Sequence, residues 1–270
     1  MNHKLLALFG LKWNPFSPDI PIDALYKTQN IDLFCWRVEN ALIREGGFAW
    51  ITGDPGTGKS VALRILAHRL SHISDLTVAV LSQPSGNIGN FYRQIGDAFG
   101  LDLKPANRWG GFKSLRERWL LHQENTLHKP VLLVDEAQEV HPSVMSELRM
   151  LSSMEYDSQT ALTVVLAGDR RLADKLRSPE LLPLASRMRM QLRMTPASPK
   201  MLAECLEHVM EQAGNKSLIK KELLLSLADR AMGNYRALCT LANELLMEGA
   251  RRELNQIDEQ LYLEITGAIN

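Results

Sequence analysis

Cysteine is scarce in this chain. Cys35, Cys205 and Cys239 stand far apart, with no C-x-x-C pair and no histidine at ligand spacing. That pattern argues against a disulfide framework and a zinc site, and fits small buried residues in a reducing compartment. Long apolar runs are missing as well, since no stretch approaches the ~18 residues that would span a bilayer. The run Leu5 to Leu11 is followed by Lys12 and lacks a small-residue cleavage site, so it does not read as a signal peptide. Nor is there net charge: 31 basic residues balance 31 acidic ones. No global field therefore draws the protein to nucleic acid or to an anionic membrane, and any nucleic-acid contact has to come from a local patch. Internal repeats and low-complexity tracts are also absent. The expectation is a cytoplasmic protein without a membrane partner.

What is present is an ordinary globular balance, 45% apolar and 23% charged over 270 residues, enough for one large domain and one small one. Residues 48–198 alternate short β-rich runs with helical stretches, the pattern of a parallel sheet covered on both faces. The expected strands are Phe48–Thr52, Thr77–Leu81, Val131–Val134, Ala161–Ala167 and Met188–Arg193, with helical stretches beginning at Gly58, Ile88, Lys113 and Ser143. Beyond Pro196 only helical periodicity remains. Ser198-Pro199 reads as an N-cap and first-turn pair opening a stripe of Met201, Leu202, Cys205, Leu206, Val209 and Met210 that stops at Gly214. Helices near Lys220–Met232 and Tyr235–Arg251 and a shorter last one should follow. These features predict one large αβα domain over 1–195, including the N-terminal segment, and a small all-helical domain over 196–270.

Residues 53–60 read Gly53-Asp54-Pro55-Gly56-Thr57-Gly58-Lys59-Ser60, a complete G-x-x-x-x-G-K-[ST] between an expected strand and an expected helix. Glycines in such a loop let backbone N–H groups turn onto phosphates, and the helix N-terminus adds partial positive charge. Lys59 is then expected at the β/γ oxygens of ATP and Ser60 on Mg²⁺. Val131-Leu132-Leu133-Val134-Asp135-Glu136 is a buried-strand run ending in two carboxylates, the Walker B pattern. Alone it could equally be a strand before a polar turn. Beside the loop it assigns Asp135 to Mg²⁺ and Glu136 to the attacking water. The following Ala137-Gln138 superficially suggests a helicase box, but the companion motifs of helicases, GTPases and transporter ATPases are missing.

With these motifs the chain resembles AAA+ ATPases of the general secretion pathway A type and the ATP-binding helper proteins of transposons, such as the B protein of phage Mu. Further matching segments are Phe9-Gly10-Leu11 with Asn14-Pro15-Phe16, Glu147 to Ser152, Val165 to Asp169, and Arg177 to Leu181. The resemblance implies a P-loop NTPase αβα sandwich of AAA+ type with a parallel sheet and a small all-helical C-terminal lid. It puts Asp169 at the polar sensor position after the next strand, where relatives often carry Gln. It also makes Arg187, in Leu184-Ala185-Ser186-Arg187, an arginine finger for a neighbouring subunit; the alternative is that Arg187, Arg189 and Arg193 are the exposed face of an alternating strand. Arg236, in Gly233-Asn234-Tyr235-Arg236, resembles the lid's phosphate-directed sensor, the alternative being an ordinary surface arginine at a helix start.

Arg108-Trp109-Gly110-Gly111-Phe112, followed by Lys113, Arg116 and Arg118, reads as a flexible aromatic stretch. It is either a channel loop that touches DNA or polypeptide, or a turn whose aromatics pack locally. Secretion-type relatives carry a membrane span and a wall-binding tail after the ATPase part, and the sequence shows neither. The leading expectation is therefore an ATP- and Mg²⁺-dependent helper of a transposase, self-assembled as a ring or filament on double-stranded DNA. A protein-remodelling or secretion-assembly ATPase that needs no nucleic acid is the alternative, and a nucleotide-switched scaffold is a third.

Overall fold

The computed structural model describes residues 2–84, 86–104, 106–154 and 159–267. In chain order its elements are α1 (Asn2–Phe9), α2 (Gln29–Arg37), α3 (Ile43–Glu45), β1 (Gly47–Gly53), α4 (Lys59–Ser71), β2 (Val78–Leu81), α5 (Ile88–Ala98), α6 (Arg108–Thr126), β3 (Val131–Val134), α7 (Pro142–Ser152), β4 (Ser153–Met154), β5 (Gln159–Thr160), β6 (Thr163–Gly168), α8 (Arg170–Leu176), α9 (Leu182–Ala185), β7 (Met188–Met194), α10 (Pro199–Ala213), α11 (Lys221–Arg230), α12 (Tyr235–Arg251) and α13 (Glu259–Gly267). A π-turn, Val38–Leu42, joins α2 to α3. Among the described residues, no helix is long and apolar enough to cross a membrane. The chain folds as two compact units: one of Lys27–Asp54 and Lys59–Met194, the other of the residues up to Tyr26, Pro55–Gly58 and the residues from Thr195 onward.

The first unit is built on a five-stranded sheet in the order β2-β3-β6-β1-β7, with every pair parallel. β3 and β6 are buried at every residue, as continuous apolar runs in a sheet covered on both faces should be. Successive side chains point to opposite faces. Phe48, Leu132, Val134, Val164 and Leu166 join a core cluster with Tyr92 and Ile95 of α5, Leu115 and Trp119 of α6, and Leu148 of α7. On the opposite side of β6, Thr163 donates its hydroxyl to the Leu42 carbonyl in the π-turn at 3.1 Å. This is the α/β P-loop NTPase fold, with all five expected strands present, β3 at its expected bounds and the other four shifted by a residue or two at one or both ends. The β4–β5 antiparallel pair was not foreseen.

One expectation is overturned. The stretch from Arg108 is neither loop nor turn: α6 begins at Arg108, not at Lys113. Asn107 caps it, its side-chain oxygen accepting the Gly110 N–H at 2.9 Å. A Cβ at Gly111 would lie 2.8 Å from Tyr92 Cδ1, so glycine is there for close helix packing, not for flexibility. Trp109 stacks on Phe112 with ring centroids 5.8 Å apart, and the Arg116 guanidinium lies 5.4 Å from the Phe112 centroid.

Arg108 itself turns inward. Its Nε donates to Glu147 Oε1 at 2.8 Å, its Nη2 to Glu147 Oε2, and the Tyr92 hydroxyl donates to the same carboxylate at 2.6 Å. Glu147 is 1% exposed. Burial pushes its carboxyl pKa up, but the Arg108 and Tyr92 hydrogen bonds outweigh that and hold it below the ordinary value.

In the second unit, the Ser198 hydroxyl accepts the Met201 N–H at 3.3 Å to open α10, and Gly214, at φ 110°, closes it. Leu202, Cys205, Leu206, Val209 and Met210 are buried along the expected stripe. The N-terminal segment makes its contacts here: the Lys12 N–H donates to the Ala213 carbonyl at 2.8 Å, and Asn215 Nδ2 to the Phe9 carbonyl at 2.8 Å. The three cysteines are free thiols, with Cys35 and Cys205 buried.

The Glu147 network generates a stability prediction. Arg108→Ala leaves a buried carboxylate with Tyr92 alone and should lower unfolding free energy by about 1–3 kcal/mol, read from the urea midpoint at unchanged m-value. Because Glu147 is held below its unfolded-state pKa, its contribution is present above that ordinary value and is lost as pH falls through the lower folded one. The difference between wild type and Arg108→Ala should therefore shrink in acid.

Candidate nucleotide site

The loop at 53–60 leaves the C-terminal end of β1 and enters α4. Gly56 and Gly58 adopt φ of 81° and 97°, values that L side chains rarely take and that glycine supplies in loops turning their N–H groups onto anions. Lys59 is 8% exposed, and its Nζ donates to the Asp54 carbonyl at 3.2 Å. Thr57 is buried and Ser60 half-buried. Loop residues Pro55 and Gly56 make their contacts with the start of α12. Asn234 Nδ2 donates to the Pro55 carbonyl at 3.3 Å and the Tyr235 N–H to the Gly56 carbonyl at 3.0 Å. A Cβ at Gly56 would come within 2.0 Å of Asn234 Oδ1, so that approach depends on glycine.

Walker B ends β3, one strand from β6 and two from β1. Asp135 is half-buried, its Oδ1 accepting the Glu136 N–H at 2.9 Å. Glu136 is exposed and left-handed, at φ 48° and ψ 38°. Its carboxylate accepts a hydrogen bond from Gln138 Nε2. Asp169 follows β6 and caps α8, accepting the Arg171 N–H at 2.9 Å. Its carboxylate also takes the Arg171 guanidinium, Nε at 3.0 Å and Nη2 at 2.8 Å from Oδ2. Burial raises the Asp169 pKa, and the Arg171 bonds outweigh it to hold the group below its ordinary value. The carboxylate expected to sense the γ-phosphate is thus committed to Arg171.

Arg170, which sequence reasoning passed over, forms a forked pair with Asp54, Nε to Oδ1 at 2.5 Å and Nη2 to Oδ2 at 2.6 Å. It tethers the phosphate loop to the end of β6. The only advance signal was an arginine run directly after the sensor position.

Residues 43–176 match the family described as AAA domain. Over that stretch the chain is similar to AAA domains. Over 193 residues it is 33% identical to general secretion pathway protein A of Aeromonas hydrophila, a match covering 70% of this chain and 34% of that protein. The chain thus spans about a third of that relative's length. Its fold is similar to that of Cdc6p from Pyrobaculum aerophilum, with a TM-score of 0.72 at 17% identity over 90% of this chain and 67% of the other. It is similar as well to Drosophila ORC bound to DNA, with 0.69 at 16% over 97% and 66%. Domain III of DnaA from Thermotoga maritima gives 0.63 at 15% over 92% and 95%. At these identities the three structures bear on fold alone.

The AAA match contains the loop, both Walker B carboxylates and Asp169, and it ends before Arg187 and Arg236. Arg187 is half-buried, its Nη1 donating to Ser153 Oγ in β4. On the following edge strand, Arg189 and Arg193 are exposed in alternation, and Arg189 pairs with Glu45 at 2.7 Å. Arg236 is exposed on the first turn of α12, its N–H accepted by Asn234 Oδ1 at 2.9 Å.

The residues present suit a nucleotide with Mg²⁺: an anion-directed loop, one lysine, one hydroxyl and adjacent carboxylates. Among the described residues, no cluster of three or more His, Cys, Asp or Glu could hold a metal without further ligands. Mg²⁺ commonly needs only one or two protein ligands beside substrate phosphates. Lys59→Ala should accordingly weaken ATP binding by about a hundredfold or more, measured by fluorescent-nucleotide titration, with the thermal midpoint of the free protein nearly unchanged.

Proposed function

We propose that this chain binds ATP with Mg²⁺ and hydrolyses it, and that its complete active site forms in a self-assembled oligomer. The observation that carries the reading is the strand order β3-β6-β1, which brings the phosphate loop and the Walker B carboxylates to one edge of the sheet. In this scheme the loop N–H groups and Lys59 hold the phosphates, and Ser60 and Asp135 hold the ion. Mg²⁺ when bound offsets the charge of the phosphate oxygens. Glu136 takes a proton from the water whose oxygen attacks the γ-phosphorus, and ADP leaves with the bond electrons. Asp169 would assist only after releasing Arg171.

Glu136→Gln should therefore still bind ATP while its turnover falls roughly 10²- to 10⁴-fold, the usual contribution of a general base. Wild-type turnover in that variant would remove Glu136 from the role. Arg187 in the finger role makes specific activity rise with protein concentration. Mixing inactive Arg187→Ala with inactive Lys59→Ala should then restore part of the turnover, since one mixed interface pairs an intact loop with an intact finger. Concentration-independent activity and no recovery would count against a shared site.

A role on double-stranded DNA, beside a transposase as the sequence resemblance suggests, is the second part of the reading. It is favoured by a ladder on α6, where exposed Trp109 stacks on half-buried Phe112 and half-buried Arg116 covers the ring. Related folds include that of Drosophila ORC bound to DNA. The 33% identity to a secretion-pathway protein favours the rival, an ATPase that acts on protein assemblies. With Arg108 engaged by Glu147, the basic residues left on this helix are few, so a monomer should bind DNA weakly. Each phosphate contact lowers log K by about 0.9 per unit of log salt, and an ATP-built oligomer would multiply the contacts. Electrophoretic shift assays should show DNA binding that needs ATP, falls steeply with salt and weakens uniformly in Arg116→Ala/Arg118→Ala. No affinity at low salt with ATP would pass the reading to the rival.

A further inference from the structure

Gln138 lies next to the proposed base and has no part in the scheme above. It is 5% exposed, in the short turn Ala137–Glu139 that follows Walker B. Both ends of its amide are used. Oε1 accepts the backbone N–H of Asp169 at 3.2 Å, and Nε2 donates to Glu136 Oε2. The first bond fixes the second: a backbone N–H can only donate, so the amide oxygen must face Asp169 and the NH₂ must face Glu136. The main chain of the turn is held as well, because Lys175 Nζ donates to the carbonyls of Gln138 and of Val140, the latter at 2.7 Å. Even the seat of the amide is shaped for it: a Cβ at Gly168 would come within 2.7 Å of Gln138 Oε1.

We infer that Gln138 is a positioning residue for hydrolysis, an amide clamp that holds one oxygen of the Glu136 carboxylate and ties it to the end of β6. The inference rests on the proposed role of Glu136 as base. The clamp leaves Glu136 Oε1 to receive the proton of water and limits the rotamers available to an otherwise exposed side chain. It also explains how the β6 terminus can influence the base while the Asp169 carboxylate is occupied by Arg171: the connection runs through the Asp169 N–H. A polar residue in a tight turn would ordinarily face solvent; this one is buried and bonded at both ends, which is expected of a group that orients another.

The test compares steady-state ATP hydrolysis by the full chain in four single variants and one double, with nucleotide affinity and thermal midpoint as folding controls. Gln138→Met removes both bonds at similar volume, whereas Gln138→Glu keeps an acceptor for Asp169 N–H and loses only the donor to Glu136. Gly168→Ala removes no functional group but crowds the amide in its seat, and Leu172 Cδ2 as well at 2.9 Å, which the thermal midpoint controls for. Expected are falls in kcat of roughly ten- to hundredfold in all three with ATP affinity held, because displacement of a reacting group by about 1 Å costs on that order. Adding Gln138→Met to Glu136→Gln should cause no further loss, since the clamp would have no base to hold. If Gln138 merely supports the end of β6, Gln138→Glu turns over like wild type and the inference is overturned. Additive losses in the double variant also overturn it. The underlying reading fails separately, through wild-type turnover by Glu136→Gln, whereas an impaired Glu136→Gln beside fully active Gln138 variants sinks the clamp alone.

Discussion

The position of β1 in the sheet governs what the rest of the site can be. Parallel strands all run the same way, so their C-terminal ends share one edge and their following loops share one rim. With β6 between β1 and β3, the end of β1 and the Walker B carboxylates stand two strand spacings apart, roughly 10 Å. Between them stands whatever follows β6. In this chain that is Asp169, Arg170 and Arg171. Arg170 reaches one way to Asp54 in the loop, and the Asp169 N–H reaches the other way to Gln138 beside Glu136. The end of the middle strand is thereby wired to both halves of the site.

The neutral charge balance takes on meaning once partners are visible. Arg69 lies against Glu39 and Asp32, Arg108 against Glu147, Arg170 against Asp54, Arg171 against Asp169 and Glu139, and Arg189 against Glu45. A run of arginines in a sequence invites a reading as phosphate or DNA contacts. Here several of them close small acidic circuits that hold loops and helices in place. Exposed pairs of this kind contribute little stability individually. Glu147 differs because it is buried, and its two partners leave it neither isolated nor free to move.

Much of the architecture was legible because it was written in periodicity and in one rigid motif. Buried strands such as Val131–Val134 cannot be disguised, and the loop sequence at 53–60 constrains its own backbone through Gly56 and Gly58. The start of α6 was misread because Gly110-Gly111 looks like punctuation. The reason for Gly111 is Tyr92, a residue far away in sequence, and no local rule contains that contact. The β4–β5 pair escaped for a similar reason: two-residue strands carry no period. Gln138 was seen only as part of a misleading four-letter box, since its importance depends on the Asp169 N–H, which belongs to another strand's end.

The backbone at Glu136 makes the same point from the side of strain. A glutamate at φ 48° and ψ 38° occupies a region that non-glycine residues visit rarely, and such conformations cost of the order of 1–3 kcal/mol unless local bonds hold them. Here the holding bonds are identifiable. The Asp135 side chain accepts the Glu136 N–H, Gln138 grips the carboxylate, and the buried Ala137 anchors the turn beneath. A relaxed strand would continue past Val134 and carry the Glu136 side chain along the sheet direction. The left-handed turn instead ends the strand at Val134 and sets two consecutive carboxylates in different surroundings, Asp135 half-buried and Glu136 exposed. Asp135 and Glu136 are adjacent in sequence, and it is the strained turn between them that gives the two carboxylates different exposure.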